Sequence, residues 1–288
     1  MIKIKNPICN GQDPFILAYN GKYYMYSQSA DDKGFDAFVS DDMQTWSDCG
    51  RCLSEDDCIG KSDFWAPEVV AYKGKFVMVF SADMHLGVAV SDFPVGPFRQ
   101  TDKGWLFGTE AIDGHIFIDN DKLYLFNVLW GFTDSGDNRE EIWGSELNAD
   151  FTVNEKTLKR LIVPETPWET IEGNVVEGPY ILKHSGRYYM SYSANNYTCK
   201  DYSVGYAVSD SPLGDYVKYE NNPILKSGEK YCAPGHNSFV TAFDDRLYCV
   251  YHIHSDDKNI LPRKICISLA EFVTEENGKE ILRIEKPL

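Results

Sequence analysis

Apolar residues along this chain fall in short runs rich in β-branched and aromatic side chains, bounded by Gly, Asn, Asp or Ser. No stretch carries the 3.6-residue periodicity of a long amphipathic helix, so the pattern predicts strands and tight turns. The runs are organised by a repeat. Five times an acidic residue, Pro or Gly leads a short apolar run, a turn and an aromatic-rich run, as in Asp13-Pro-Phe-Ile-Leu-Ala-Tyr-Asn-Gly-Lys-Tyr-Tyr-Met-Tyr-Ser. The other copies occupy residues 66–82, 113–126, 177–194 and 235–251. Each reads as a β-hairpin, with Asn20-Gly21, Lys73-Gly74, Asn120-Asp121, Ser185-Gly186 and Asp244-Asp245 at the positions where a tight turn demands positive-φ or turn-prone residues.

A further strand follows each hairpin, over residues 36–40, 87–91, 142–146, 204–209 and 263–269, which makes units of three to four strands. The copies begin near positions 13, 66, 113, 177 and 237, close to the spacing of kelch-type propeller blades. A β-sandwich or jelly roll also contains many short strands, but it gives no reason for one motif to recur five times at near-equal spacing. The predicted fold is therefore all-β: a five-bladed β-propeller in a single domain over residues 1–288. The alternation at residues 2–4 and 281–284 suggests that one end of the chain completes a blade begun by the other, closing the ring.

In a propeller the innermost strands line the axis, so their leading residues share one mouth of the channel. Aligned on the turns, the leaders are Asp13, Ala66, Asp113, Glu177 (one residue out of step) and the His236-Asn237 pair. Three carboxylates and a histidine thus converge. Singly, an Asp before a strand is an ordinary turn or cap residue. Three acids in register are different, because like charges in a confined site raise one another's pKa. Glycosidic cleavage has a use for that: one carboxyl ionised to draw a proton from water, another protonated to deliver one to the leaving oxygen. Trp65, at a strand entrance, is a candidate sugar-stacking residue, whereas most of the 18 Tyr and 16 Phe are expected to pack between blades.

Charge and cysteine content narrow the partners. The formal net charge of −16 disfavours nucleic acid and is compatible with a neutral sugar substrate. No apolar run approaches the ~20 residues that span a bilayer, and the N-terminus shows no basic segment followed by an apolar one, so the reading is a soluble, cytoplasmic protein without a membrane partner. Eight cysteines are expected to be reduced thiols, and the lone Cys49-x-x-Cys52 lacks the second half of a zinc motif.

Taken together, Gln12-Asp13-Pro14-Phe15-Ile16, Trp65-Ala66-Pro67-Glu68, Ile112-Asp113-Gly114-His115-Ile116, Glu177-Gly178-Pro179-Tyr180 and Gly235-His236-Asn237-Ser238-Phe239 resemble glycoside hydrolase family 43, in the family's order and over nearly the whole chain. The resemblance implies an inverting glycosidase acting on arabinose- or xylose-containing oligosaccharides of plant origin. By the same resemblance Asp13 is the general base, Glu177 the general acid and Asp113 the residue that tunes and orients the acid. His236 matches an axial histidine that in some members sits beside a calcium or sodium ion, often through water, and no cofactor is otherwise required. Arg263 matches an arginine that contacts the acid or substrate, and Phe15 and His115, within the motifs, are further candidate substrate contacts. The third motif departs from the commoner Asp-Pro or Asp-Ala, and the chain carries no β-sandwich after the propeller. That second departure favours an α-L-arabinofuranosidase over a β-xylosidase; the leading expectation is an exo-acting α-L-arabinofuranosidase, with a β-xylosidase or an endo-arabinanase of the same family as the alternatives. The alternative of another class is a propeller that only binds carbohydrate.

Overall fold

The computed structural model describes residues 4–102 and 104–286. Twenty-one strands and a single short 3-10 turn at Glu155–Thr157 make up its regular structure. They form five antiparallel sheets: four of four strands, each built from consecutive segments of chain, and one of five that joins the last four strands to Cys9–Asn10 from the start of the chain. This is the five-bladed β-propeller expected from the repeat. The innermost strands are Phe15–Tyr19, Trp65–Tyr72, Ala111–Asp119, Val176–His184 and Gly235–Thr241, in blades 1 to 5.

Local chemistry explains the hairpins. Backbone φ is positive at Asn20 (50°), Lys73 (46°), Asn120 (49°), Ser185 (47°) and Asp245 (62°), the turn positions picked out by the sequence. Gly21, Gly74 and Gly186 carry the adjoining positive φ in three of them.

Packing lies between the blades and not at a common centre. Five apolar clusters fill the five junctions. Phe35, Phe64 and Phe80 join blades 1 and 2, Val79, Leu86 and Leu125 join blades 2 and 3, and Phe126, Met190 and Tyr192 join blades 3 and 4. Tyr206, Phe239 and Tyr251 lie between blades 4 and 5, and Ile16, Met25, Val250 and Ile267 between blades 5 and 1. The last cluster closes the ring. It is reinforced by Cys9–Asn10, a two-residue strand paired to the outer part of blade 5 through Cys9 to Ile265 and Asn10 to Lys264. Residues 281–284 lie within Glu280–Ile284, which pairs with the other end of that same blade 5 strand, Lys264–Thr274. Closure therefore uses Cys9–Asn10; residues 2 and 3 of the expected opening strand lie outside the described residues, and Ile4 packs as a single side chain into the junction of blades 5 and 1.

One feature of the inner strands positions the site. At their entrances φ is positive at Asp13 (48°), Ala66 (46°), Asp113 (56°), Gly178 (57°) and His236 (47°). In blades 2 to 5 the ladder slips at the same place, between Trp65 and Glu68, Ile112 and His115, Glu177 and Tyr180, and Gly235 and Ser238. A bulge of this kind bends the strand and re-aims its side chains. The left-handed residue at all five entrances, with the bulge in four of them, turns the leading residue and the one before it toward the channel mouth.

Candidate active site

The mouth is a pocket of about 420 Å³ lined by Asp13, Asp113, Glu177, His236, Trp65 and Arg263, among others. Six of the eight side chains singled out in the sequence therefore meet in one cavity. The bulges account for the apparent misalignment of Glu177. Gly178 holds the left-handed position in blade 4, so Glu177 is equivalent to Gln12, Trp65 and Ile112, which line the same pocket.

His236 lies at the centre of the charge arrangement. Its Nδ1 is 3.5 Å from Asp13 Oδ1 and 3.9 Å from both Asp113 Oδ2 and Glu177 Oε1. Burial disfavours the imidazolium, but the three carboxylates outweigh it and push the His236 pKa up to about 10. At neutral pH it is a buried cation among three acids.

The three acids have different surroundings. Burial by itself would raise the Asp13 carboxyl; the charges of His236 and Arg263 and a bond from His252 overcome this and hold it well below the usual carboxylate range. Arg263 Nη1 donates to Asp13 Oδ1 at 3.2 Å while its Nε donates to Gln12 Oε1 at 2.9 Å. His252 is neutral, its pKa pushed down to about 3 by burial and by Arg263. Arg263 Nη1 lies 3.3 Å from His252 Nε2, while His252 Nδ1 lies 3.2 Å from Asp13 Oδ1 and 3.3 Å from the Asp13 backbone N–H. Asp113 is pushed the other way, up to about 7, by burial and by the charges of Glu177 and Asp13, against the opposing pull of His236. Its Oδ2 accepts a bond from the Gly178 N–H at 3.1 Å. Glu177 Oε1 accepts a bond from the buried Tyr202 hydroxyl. Tyr202 can lie there because residue 235 is glycine: a Cβ at that position would come within 1.9 Å of the Tyr202 ring.

Phe15 and His115 stand elsewhere. Phe15 is buried in the junction of blades 1 and 2, near the rings of Tyr26 and Tyr180. His115 is 4% exposed, with Nδ1 2.6 Å from Glu68 Oε2 and Nε2 accepting from the Ile181 N–H at 3.1 Å. It ties blades 2, 3 and 4 together beneath the pocket instead of lining it. Conversely, Tyr202, His252, Glu140 and Tyr197 escaped the sequence reading. They come from outer strands and loops, where no repeated motif marks them; only register to an inner strand, such as His252 opposite Gly235, would have pointed to them.

The family model "Glycosyl hydrolases family 43" matches residues 4–277. The chain belongs to glycoside hydrolase family 43. It is thus a glycoside hydrolase, and an oligosaccharide is its class of substrate. Among solved structures, this family 43 hydrolase is similar to an endo-1,4-β-xylanase from Bacteroides thetaiotaomicron, with a TM-score of 0.87 and 36% identity over 98% of this chain and 97% of that one. It is also similar to a thermostable family-43 glycoside hydrolase, with a TM-score of 0.89 and 35% identity over 98% and 96%. An extracellular exo-α-(1→5)-L-arabinofuranosidase of Streptomyces chartreusis is 32% identical over 208 residues, 65% of this chain and 62% of that protein. Among the described residues of this hydrolase no helix is long and apolar enough to cross a membrane.

Proposed function

We propose that this hydrolase is an inverting, exo-acting α-L-arabinofuranosidase that releases terminal pentosyl units from arabino- and xylo-oligosaccharides. The observation that carries the mechanism is the contrast between its carboxyl groups. Asp13, held ionised by Arg263, His236 and His252, is suited to accept a proton from the attacking water. Asp113, by contrast, is pushed up to about 7 by burial and by the neighbouring carboxylates. Glu177, fixed by Tyr202, is placed to deliver a proton to the leaving oxygen while Asp113 beside it tunes the transfer.

The sugar assignment is supported by the pocket shape and by the arabinofuranosidase relative. A pocket of about 420 Å³ suits a chain end better than the middle of a polymer. A second reading, cleavage of β-1,4-xylosyl bonds, is favoured by the xylanase relative, which matches this chain from end to end. Hydrolysis of 4-nitrophenyl α-L-arabinofuranoside and 4-nitrophenyl β-D-xyloside separates the two, and NMR of the first-formed anomer tests inversion. Asp13→Ala and Glu177→Ala are each expected to lower kcat at least ~100-fold, the scale of a lost general acid or base. Retention of configuration, or near-normal rates in either variant, would overturn the assignment.

The axial ion is a separate proposal. Below His236 a cavity of about 10 Å³ is lined by Glu68, Asn237 and His236, and the buried Asn237 Oδ1 has no hydrogen-bond partner among the described residues. A carboxylate and an orphaned amide oxygen are hard donors that fit calcium or sodium, which would brace His236 from beneath. A thermal midpoint that falls with EDTA and recovers with calcium supports a calcium site; one that responds to neither EDTA nor added sodium overturns the ion.

A further inference from the structure

The pocket contains an acid for which the mechanism above has no use. Glu140 is the third residue of Asn138–Leu147, the third strand of blade 3, and lines the cavity. Side chains on a strand alternate, and the neighbouring Glu141 points away into the blade. There Glu141 takes the cations: Arg139 Nε bonds it at 2.7 Å, Arg160 Nη1 lies 3.6 Å away, and Trp143 Nε1 donates at 3.1 Å. Glu140 is left facing the pocket, where burial and the charges of Glu177 and Asp113 push its carboxyl up to about 8. At neutral pH it is an un-ionised acid, able both to donate and to accept a hydrogen bond.

Its neighbours define what it faces. Trp130 is directly opposite Glu140 across the ladder of blade 3 and lines the same pocket. An aromatic face beside a hydroxyl-bonding carboxyl is a sugar-binding pair, and cross-strand partners lie only about 4.5–5.5 Å apart at Cβ. Glu140 is also fastened to the chain that leads into Glu177: its N–H donates to the Asn174 carbonyl at 2.9 Å, and it bridges to Val175. Asp13, Gln12 and Arg263 form a separate group, bonded to one another.

We propose that Trp130 and Glu140 form the subsite for the sugar on the leaving side of the scissile bond, Trp130 stacking on its ring and Glu140 bonding its hydroxyls. The assignment rests on Glu177 as the group that protonates the leaving oxygen, because the departing sugar must then lie on the side where residues 174–177 and Glu140 meet.

The test compares two leaving groups on the sugar the enzyme prefers. One is 4-nitrophenol, a flat ring without hydroxyls; the other is the second sugar of the matching disaccharide. Glu140→Ala should lower kcat/KM on the disaccharide about tenfold more than on the nitrophenyl glycoside, as expected when a hydroxyl loses its partner. Glu140→Gln, which keeps a donor and an acceptor, should hold that ratio within about threefold of wild type. Trp130→Ala should lower both substrates, since both present a face to stack on. Thermal midpoints of the variants separate these effects from misfolding. If Glu140→Ala lowers both substrates by one factor, or Trp130→Ala lowers neither, the subsite is overturned while the pentosidase reading stands. A wild type that cleaves neither substrate overturns both.

Discussion

Asp13 and Asp113 occupy equivalent places in blades 1 and 3, and at both burial acts in the same direction, yet their carboxyls are driven to opposite sides of the ordinary value. The difference lies in three side chains from elsewhere. Arg263 and His252 reach Asp13, whereas Asp113 has a backbone N–H and a second carboxylate beside it. If Asp13 acts as an ionised base, activity is lost on acidification as that carboxylate is protonated. Removing the Arg263 charge raises the Asp13 pKa, so the acidic limb of the kcat/KM profile should move to higher pH in Arg263→Met, by about one unit or more for a partner at this distance. Arg263→Lys, which keeps the charge without the fork to Gln12, should restore most of the limb position but not all of the rate. An acidic limb that stays put in Arg263→Met would mean that a group other than Asp13 sets it.

At the scale of elements, the sequence yields the strands and turns almost completely, because each hairpin is marked by its own turn residues and each blade by the repeat. The strand entrances are less legible. With strict alternation, a residue two beyond Asp13 or Asp113 shares its face, which makes Phe15 and His115 look like pocket residues. The left-handed backbone at Asp13 and Asp113, and the register slip between Ile112 and His115, break that alternation. Beyond the left-handed residue in blade 1, and beyond the bulge in blade 3, Phe15 enters the core and His115 binds Glu68. The same slip explains why Glu177 looks displaced by one although it sits where Gln12 and Trp65 sit. Non-glycine residues in the left-handed region cost of order 1–3 kcal/mol each, and four occur here, at Asp13, Ala66, Asp113 and His236. At these four entrances, three of them bearing ionisable groups, that strain is the local cost of aiming the side chains at the mouth.

For the whole molecule, a ring of blades is only as sound as its last junction, since each blade packs mainly against its two neighbours. Here the junction between blades 5 and 1 combines an apolar cluster with chain from before the first blade. The fastening is specific: Asn6 Nδ2 donates to the Ile267 carbonyl at 2.9 Å, and the Ile267 N–H donates to Asn6 Oδ1 at 2.8 Å. One side-chain amide thus satisfies both backbone groups of a residue in blade 5, just beyond the point where Cys9–Asn10 pairs. Asn6→Ala leaves both without that partner, a loss of about 1–3 kcal/mol. In a chain of this size each kcal/mol moves the melting midpoint by about 2–4 °C, so a drop of several degrees is expected. Asn6 is outside the pocket lining, so kcat on the preferred pentoside at 25 °C should remain near wild type, and the two readouts together separate closure from chemistry. An unchanged midpoint would mean that the apolar cluster closes the ring without help; a fall in kcat with the midpoint intact would mean that the closing segment sets the position of Asp13, seven residues along the chain.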